Sequence, residues 1–134
     1  MNLAASWTVP ESLSAPSGPY SLASITPDGL VHTAGLVAMD AQGTVVGLSD
    51  AGAQTREIFS KGTAILAAAG VSLNDVVFVH VFVSDMSHYA AMNAAYREAF
   101  GNGGSPLPPR YCIRADLVKP ELLVEIAFVA KRGL

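Results

Sequence analysis

SPLPPRYCIRADLVKPELLVEIAFVAKR, residues 105–132, is the stretch from which the fold is read. It holds two strand-like runs, residues 111–115 and 122–130, separated by a polar bend. Pro106, Pro108 and Pro109 force an extended entry into the first run, because a residue preceding proline is pushed out of the helical region. Side chains two residues apart share one face of a strand. Arg110 and Cys112 therefore point one way, and Tyr111 and Ile113 the other. In the second run Val124, Ile126 and Phe128 form an apolar face, with Glu125 on the opposite side beside Ala127 and Val129. This parity lets a guanidinium, a thiol and a carboxylate stand together on one side of a sheet, away from its apolar face.

Working outward, Val76–Val83 (VVFVHVFV) is apolar on both faces and β-branched, as a central strand is. Between it and the opening stretch a helix is expected to start at Asp85 or Ser87, to carry Tyr89, Met92, Tyr96 and Phe100, and to stop at Gly101. A first helix over residues 50–69 follows from Ile58, Ile65 and Leu66 at helical spacing among alanines. Ser49 or Asp50 can cap its start, and Gly70 suits the position past its end. Farther back, Thr26-Pro27-Asp28-Gly29 is strong turn chemistry and predicts a hairpin of residues 20–25 and 30–37. Gln42-Gly43 makes another turn before a short strand at 44–46. Residues 1–19, punctuated by Pro10, Pro16, Gly18 and Pro19, are expected to wrap the surface with one short strand at 7–9.

The order of strands, helix, strand, helix and strands reads as one α+β domain over residues 1–134. Its most economical architecture is a single sheet with two helices on one face. The other face cannot stay widely apolar in water, so self-association through it is expected. Composition points the same way, with richness in alanine and glycine as the competing reason: 51% of the 134 residues are apolar and 14% charged, against about 25% charged in soluble domains. A net charge of −3 without a basic cluster argues against a nucleic-acid partner. One cysteine excludes an intramolecular disulfide and suits a reducing compartment. The N-terminal residues lack a basic n-region, and no apolar run is long enough for a bilayer. A cytoplasmic protein with no membrane partner is expected.

Arg110 presents a rigid donor fork suited to a carboxylate; a strand-end ion pair is the alternative. Glu125 interrupts an apolar strand, so it either pairs with Arg110 or has proton-transfer chemistry. Burial would raise its pKa and a neighbouring arginine would lower it. Cys112 would need to be a thiolate to act as a nucleophile; a small apolar wall residue is the simpler reading. His80 reads as a satisfied core histidine. His32 and His88 have no ligand spacing with it, and no metal pattern appears. Residues 101–104 are not a phosphate loop, since no Lys-Ser/Thr and no helix follow. Tyr20 and Asn93 have no role that spacing alone reveals.

Pro109-Arg110-Tyr111-Cys112-Ile113, followed fifteen residues after the arginine by Val124-Glu125-Ile126, resembles the signature of the Rid family of reactive enamine and imine deaminases. Supporting likenesses are Gly18-Pro19-Tyr20, Thr33-Ala34-Gly35, Ala53-Gln54-Thr55-Arg56 and Ala91-Met92-Asn93. Arg-aromatic-Cys-Ile and Leu117-Val118-Lys119-Pro120 look most like the aminoacrylate deaminase branch of pyrimidine-ring catabolism. The resemblance implies a chorismate-mutase-like fold, a homotrimer with clefts between subunits, and cofactor-free, metal-free hydrolysis of small enamine or imine carboxylic acids to ammonia and a carbonyl acid. It also implies that Arg110 grips the substrate carboxylate and Glu125 handles the water. Cys112 would line the pocket, with Tyr20, Gly35 and Asn93 as substrate-binding positions. Where many members read Ser-Gly-Gln, this chain has Ala34-Gly35-Leu36, which implies a more apolar pocket and makes an aminomuconate a rival to aminoacrylate. A non-catalytic ligand-binding or chaperone-like trimer is the alternative. Ribonuclease activity is not expected, since the chain is acidic and the expected site has no histidine pair.

Overall fold

The computed structural model describes residues 16–101 and 106–133. The strand expected at residues 7–9 lies outside them, as does most of the glycine loop after Gly101. Five strands form one mixed sheet: β1 Ala23–Ile25, β2 Leu30–Thr33, β3 Val76–Val83, β4 Arg110–Arg114 and β5 Val124–Lys131, in the order β1-β2-β5-β3-β4. β3 and β4 run parallel, and every other neighbouring pair is antiparallel. Two helices, α1 Ala51–Ala68 and α2 Tyr89–Ala99, complete the fold.

α1 forms where its signals predict. Asp50 is the N-cap, its carboxylate accepting from Ala53 N at 2.9 Å, and the chain turns out through Gly70 at a φ of +82°. α2 begins later than its earliest signal. Asp85 caps a single 3₁₀ turn, Met86–His88, and regular helix starts only at Tyr89. The hairpin forms around Gly29, whose φ of +93° suits glycine, but its strands are shorter than expected. β2 ends at Thr33, after which Leu36 rejoins the sheet by exchanging both backbone hydrogen bonds with Ile126. The strand expected at 44–46 is reduced to one bridge, Met39 to Val45.

Along β5, Val124, Ile126, Phe128 and Ala130 are completely buried, as are Val79, Val81 and Val83 of β3. They face the helices. Phe59 of α1 sits at the centre of this core, edge-on to Tyr96 at 5.4 Å and to Phe128 at 5.3 Å. Gly62 lets α1 approach the sheet, since a Cβ there would lie 2.7 Å from the Phe128 ring. The other sheet face carries Phe78, His80, Phe82 and Tyr111, whose rings contact one another. Tyr111 remains 40% exposed and Ile113 48%, so this face is an apolar surface that the described residues leave uncovered. His80 is therefore not a core histidine: it lies on this open face, where Nδ1 meets the Tyr111 hydroxyl.

Candidate active site

Cross-strand register decides which groups can meet. Arg110 pairs with Val79 and Cys112 with Val81, so both point to the helix-covered side. Glu125 pairs with Phe82 and points to the open side. The expectation that guanidinium, thiol and carboxylate share one side is thus corrected: Arg110 and Cys112 stand together, with Glu125 across the sheet. A charge is tolerated on the helix side because β4 is an edge strand and α2 supplies polar partners there.

α2 sets Tyr89, Asn93 and Tyr96 along one stripe, at the i, i+4 and i+7 spacing of a helix face. The Arg110 guanidinium lies 4.5 Å from the Tyr96 ring centroid and 5.8 Å from that of Tyr89. Its Nη2 donates to Asn93 Oδ1 and, at 3.5 Å, to the Tyr89 hydroxyl. Nη1 approaches Met92 Sδ at 3.8 Å. These contacts fix the fork at a cavity of about 230 Å³. The Asn93 amide and the Arg110 charge hold the Tyr89 hydroxyl below its usual pKa. Burial pushes that of Tyr96 up, only partly offset by Arg110. The Tyr96 hydroxyl is buried without a hydrogen-bond partner among the described residues. Burial likewise raises the Cys112 thiol above its ordinary value, against the pull of Arg110. A group held as thiol is a wall, not a nucleophile.

On the open side Glu125 lines a cleft of about 660 Å³ with Tyr20, His32, Ala34, Gly35 and Val118. Gly35 is required by close approach: a Cβ would stand 2.2 Å from Glu125 Oε2 and 2.9 Å from Cδ. The Leu36–Ile126 bridge brings the two residues together. Burial raises the Glu125 pKa above the ordinary glutamate range. Desolvation therefore wins within one chain, because Arg110 lies on the other face. A carboxylate of this kind can take a proton and give it back.

Of the site residues expected from sequence, Arg110, Cys112 and Asn93 form one group, and Glu125, Tyr20 and Gly35 a second. Tyr89 and Tyr96 were legible only as apolar stripe residues, although their spacing with Asn93 marks one helix face. His32 gave no signal beyond strand parity. Among the described residues no three His, Cys, Asp or Glu side chains gather as a metal site would require, and no helix is long and apolar enough to cross a membrane.

Residues 11–132 match the family model described as endoribonuclease L-PSP. The 3-aminoacrylate deaminase RutC of Acinetobacter baylyi is 41% identical over 122 residues, covering 91% of this chain and 94% of that protein. Among solved structures, the YjgF gene product of E. coli superposes with a TM-score of 0.79 at 28% identity, covering 91% of this chain and 94% of that one. E. coli TdcF with bound serine gives a TM-score of 0.80 at 26% identity, with coverage of 91% and 94%. The fold is the chorismate-mutase-like α+β arrangement of these proteins.

Proposed function

We propose that this chain, which belongs to the endoribonuclease L-PSP family that includes the YjgF and Rid proteins, is a hydrolytic deaminase of small enamine and imine carboxylic acids. The observation that carries the reading is the pair of half-sites: a guanidinium fixed at a cavity and, across the sheet, a half-buried carboxylate with a raised pKa. Within one chain the sheet separates them, so a single substrate can touch both only between two copies. A homotrimer with its clefts at the subunit boundaries supplies that arrangement. The uncovered apolar face gives a reason to associate.

Enamine acids tautomerise to imines, whose carbon is open to water. Arg110 binds the carboxylate through charge-assisted hydrogen bonds and so fixes that carbon. Glu125 accepts a proton as water adds across the C=N bond to give a carbinolamine. It returns that proton to the nitrogen, then takes the carbinolamine hydroxyl proton and delivers it to the nitrogen as the C–N bond breaks, so that ammonia leaves as the C=O bond forms. Tyr20 and Gly35 shape the Glu125 side, while Asn93 holds Arg110 and Cys112 walls the pocket. The residues act without a metal or cofactor in this scheme. The relative named as a 3-aminoacrylate deaminase supports the reaction class, and serine bound to TdcF is an amino acid of the size the site would take. Ala34 lines the cleft and makes it more apolar, whereas Leu36, paired with Ile126, is buried in the core and not in the cleft wall expected from sequence. Ala34 keeps a longer enamine acid such as 2-aminomuconate beside 3-aminoacrylate as a substrate. The reading places the enzyme in the cytoplasm and gives it no RNA partner, in keeping with the net charge of −3.

The test is ammonia release from freshly generated enamine acids, compared with the spontaneous rate and with Arg110→Ala. Acceleration that depends on Arg110 is expected. No acceleration with any of them, or activity on RNA alone, would overturn the proposal.

A further inference from the structure

We infer that the Arg110 cavity takes a substrate with a second anionic group, and that Arg97 binds it. The inference rests on the deaminase reading and deepens it, from a carboxylic acid to a short dicarboxylic enamine acid. Arg97 lies on α2 one turn beyond Asn93 and lines the same cavity as Arg110. Among the described residues the wall, apart from Leu107 and Pro108, consists of Tyr89, Asn93, Tyr96 and these two arginines, with no carboxylate.

Two guanidinium groups at one small cavity repel each other unless an anion lies between them. The hydrogen-bond inventory points the same way. Asn93 Oδ1, the wall's strong side-chain acceptor, is already taken by Arg110. Tyr96 is 3% exposed, and its hydroxyl, closed off from solvent, has no hydrogen-bond partner among the described residues. The wall thus has more donors than acceptors, two guanidinium forks against one amide oxygen and two neutral hydroxyls, and no anion. A single carboxylate is matched by the fork of Arg110 alone; a second one satisfies Arg97. Glu98 does not serve Arg97 instead, since adjacent residues on a helix do not face each other and Glu98 is not part of the wall.

The experiment is a calorimetric titration of the full chain with unreactive acids: succinate and glutarate against butyrate. The parent should bind the better diacid about ten-fold more tightly than butyrate, the equivalent of about 1.4 kcal/mol. Arg97→Gln should bring that ratio to within about two-fold, Arg97→Lys should keep part of it, and Glu98→Gln should not lower it, by the short range of an ion clamp compared with a general field. Equal affinity in the parent would overturn the inference. So would a ratio unchanged in Arg97→Gln, including the case where all acids weaken together because Arg97 only pairs with Glu125 of a neighbouring copy. Titration reads binding without turnover. A chain that binds diacids through Arg97 but deaminates nothing would sink the deaminase reading alone, and a deaminase indifferent to Arg97 would sink only this one.

Discussion

Burial favours the neutral form of the Glu125 carboxylate, and this has consequences for both stability and rate. Its pKa in the folded chain lies above the unfolded value. The stability it contributes is therefore fully present below the unfolded pKa and is lost as pH rises through the folded one. Glu125→Gln, which cannot ionise, should raise Tm at neutral pH, and the gap to the parent should close on acidification. Thermal melts of both proteins across pH check this; a variant less stable than its parent at neutral pH would mean that the charged form has a partner it needs. The same substitution should lower kcat by about 10²–10⁴, the range for positioned acid–base catalysis, with little change in analogue binding. Arg110→Lys should recover little of the activity lost in Arg110→Ala, because an ammonium lacks the planar fork that Asn93 and Tyr96 hold in place. Cys112→Ser should be mild. Strong loss there, with Glu125→Gln active, would require a thiol mechanism instead.

Between elements, two small contacts govern where the carboxylate stands. Gly35 is not in the left-handed region, so alanine is conformationally acceptable there, but its Cβ would collide with the carboxylate end of Glu125. That end is flexible and can move. Gly35→Ala should therefore fold with a Tm near the parent's yet lose about ten- to a hundred-fold in kcat, since displacements near 1 Å can cost as much as 10². Steady-state kinetics beside a thermal melt separates the two effects. Gln54 acts on the approach to β5. Completely buried in α1, it donates to Gly47 O at 3.1 Å and Glu121 O at 3.0 Å, and accepts from Leu123 N at 2.8 Å. Gln54→Leu strands all three backbone groups, and should destabilise the fold by about 2–4 kcal/mol at the usual cost of unsatisfied buried groups. Urea unfolding measures it; a loss under 1 kcal/mol would show that water replaces the amide.

For the whole molecule, the separated half-sites make the proposed trimer directly testable. Arg110→Ala and Glu125→Gln chains should each be inactive. Mixed and reassembled in equal amounts, they should regain about a quarter of parental activity, because a heterologous ring draws the two halves of each site from different copies. Mixtures that stay inactive, with hybrid assembly shown by mass spectrometry, would place both residues in one chain's site. Sedimentation gives the simpler check. A stable monomer at micromolar concentration would leave Phe78, Phe82 and Tyr111 uncovered and would refute association through the open face.

By itself the sequence determined the elements. Alternation in VVFVHVFV and VEIAFVA specified which side chains of each strand share a side, Asp50 and Gly70 bounded α1, and Pro27-Asp28-Gly29 produced the hairpin turn. These are local signals, written within a few residues of where they act. Which side of β4 coincides with which side of β5 is not local. It follows from Val79 pairing with Arg110 and Phe82 with Glu125, across a parallel connection that passes through α2. Period-two alternation is symmetric between the two faces, so parity could not say that Arg110 turns toward α2 while Glu125 turns away. The same holds for Gln54, whose partners lie 7 and up to 69 residues away, and for Gly35, needed only because Glu125 packs against it. Tertiary structure alone decided that the two charged groups belong to separate half-sites, because only long-range register and packing carry that information.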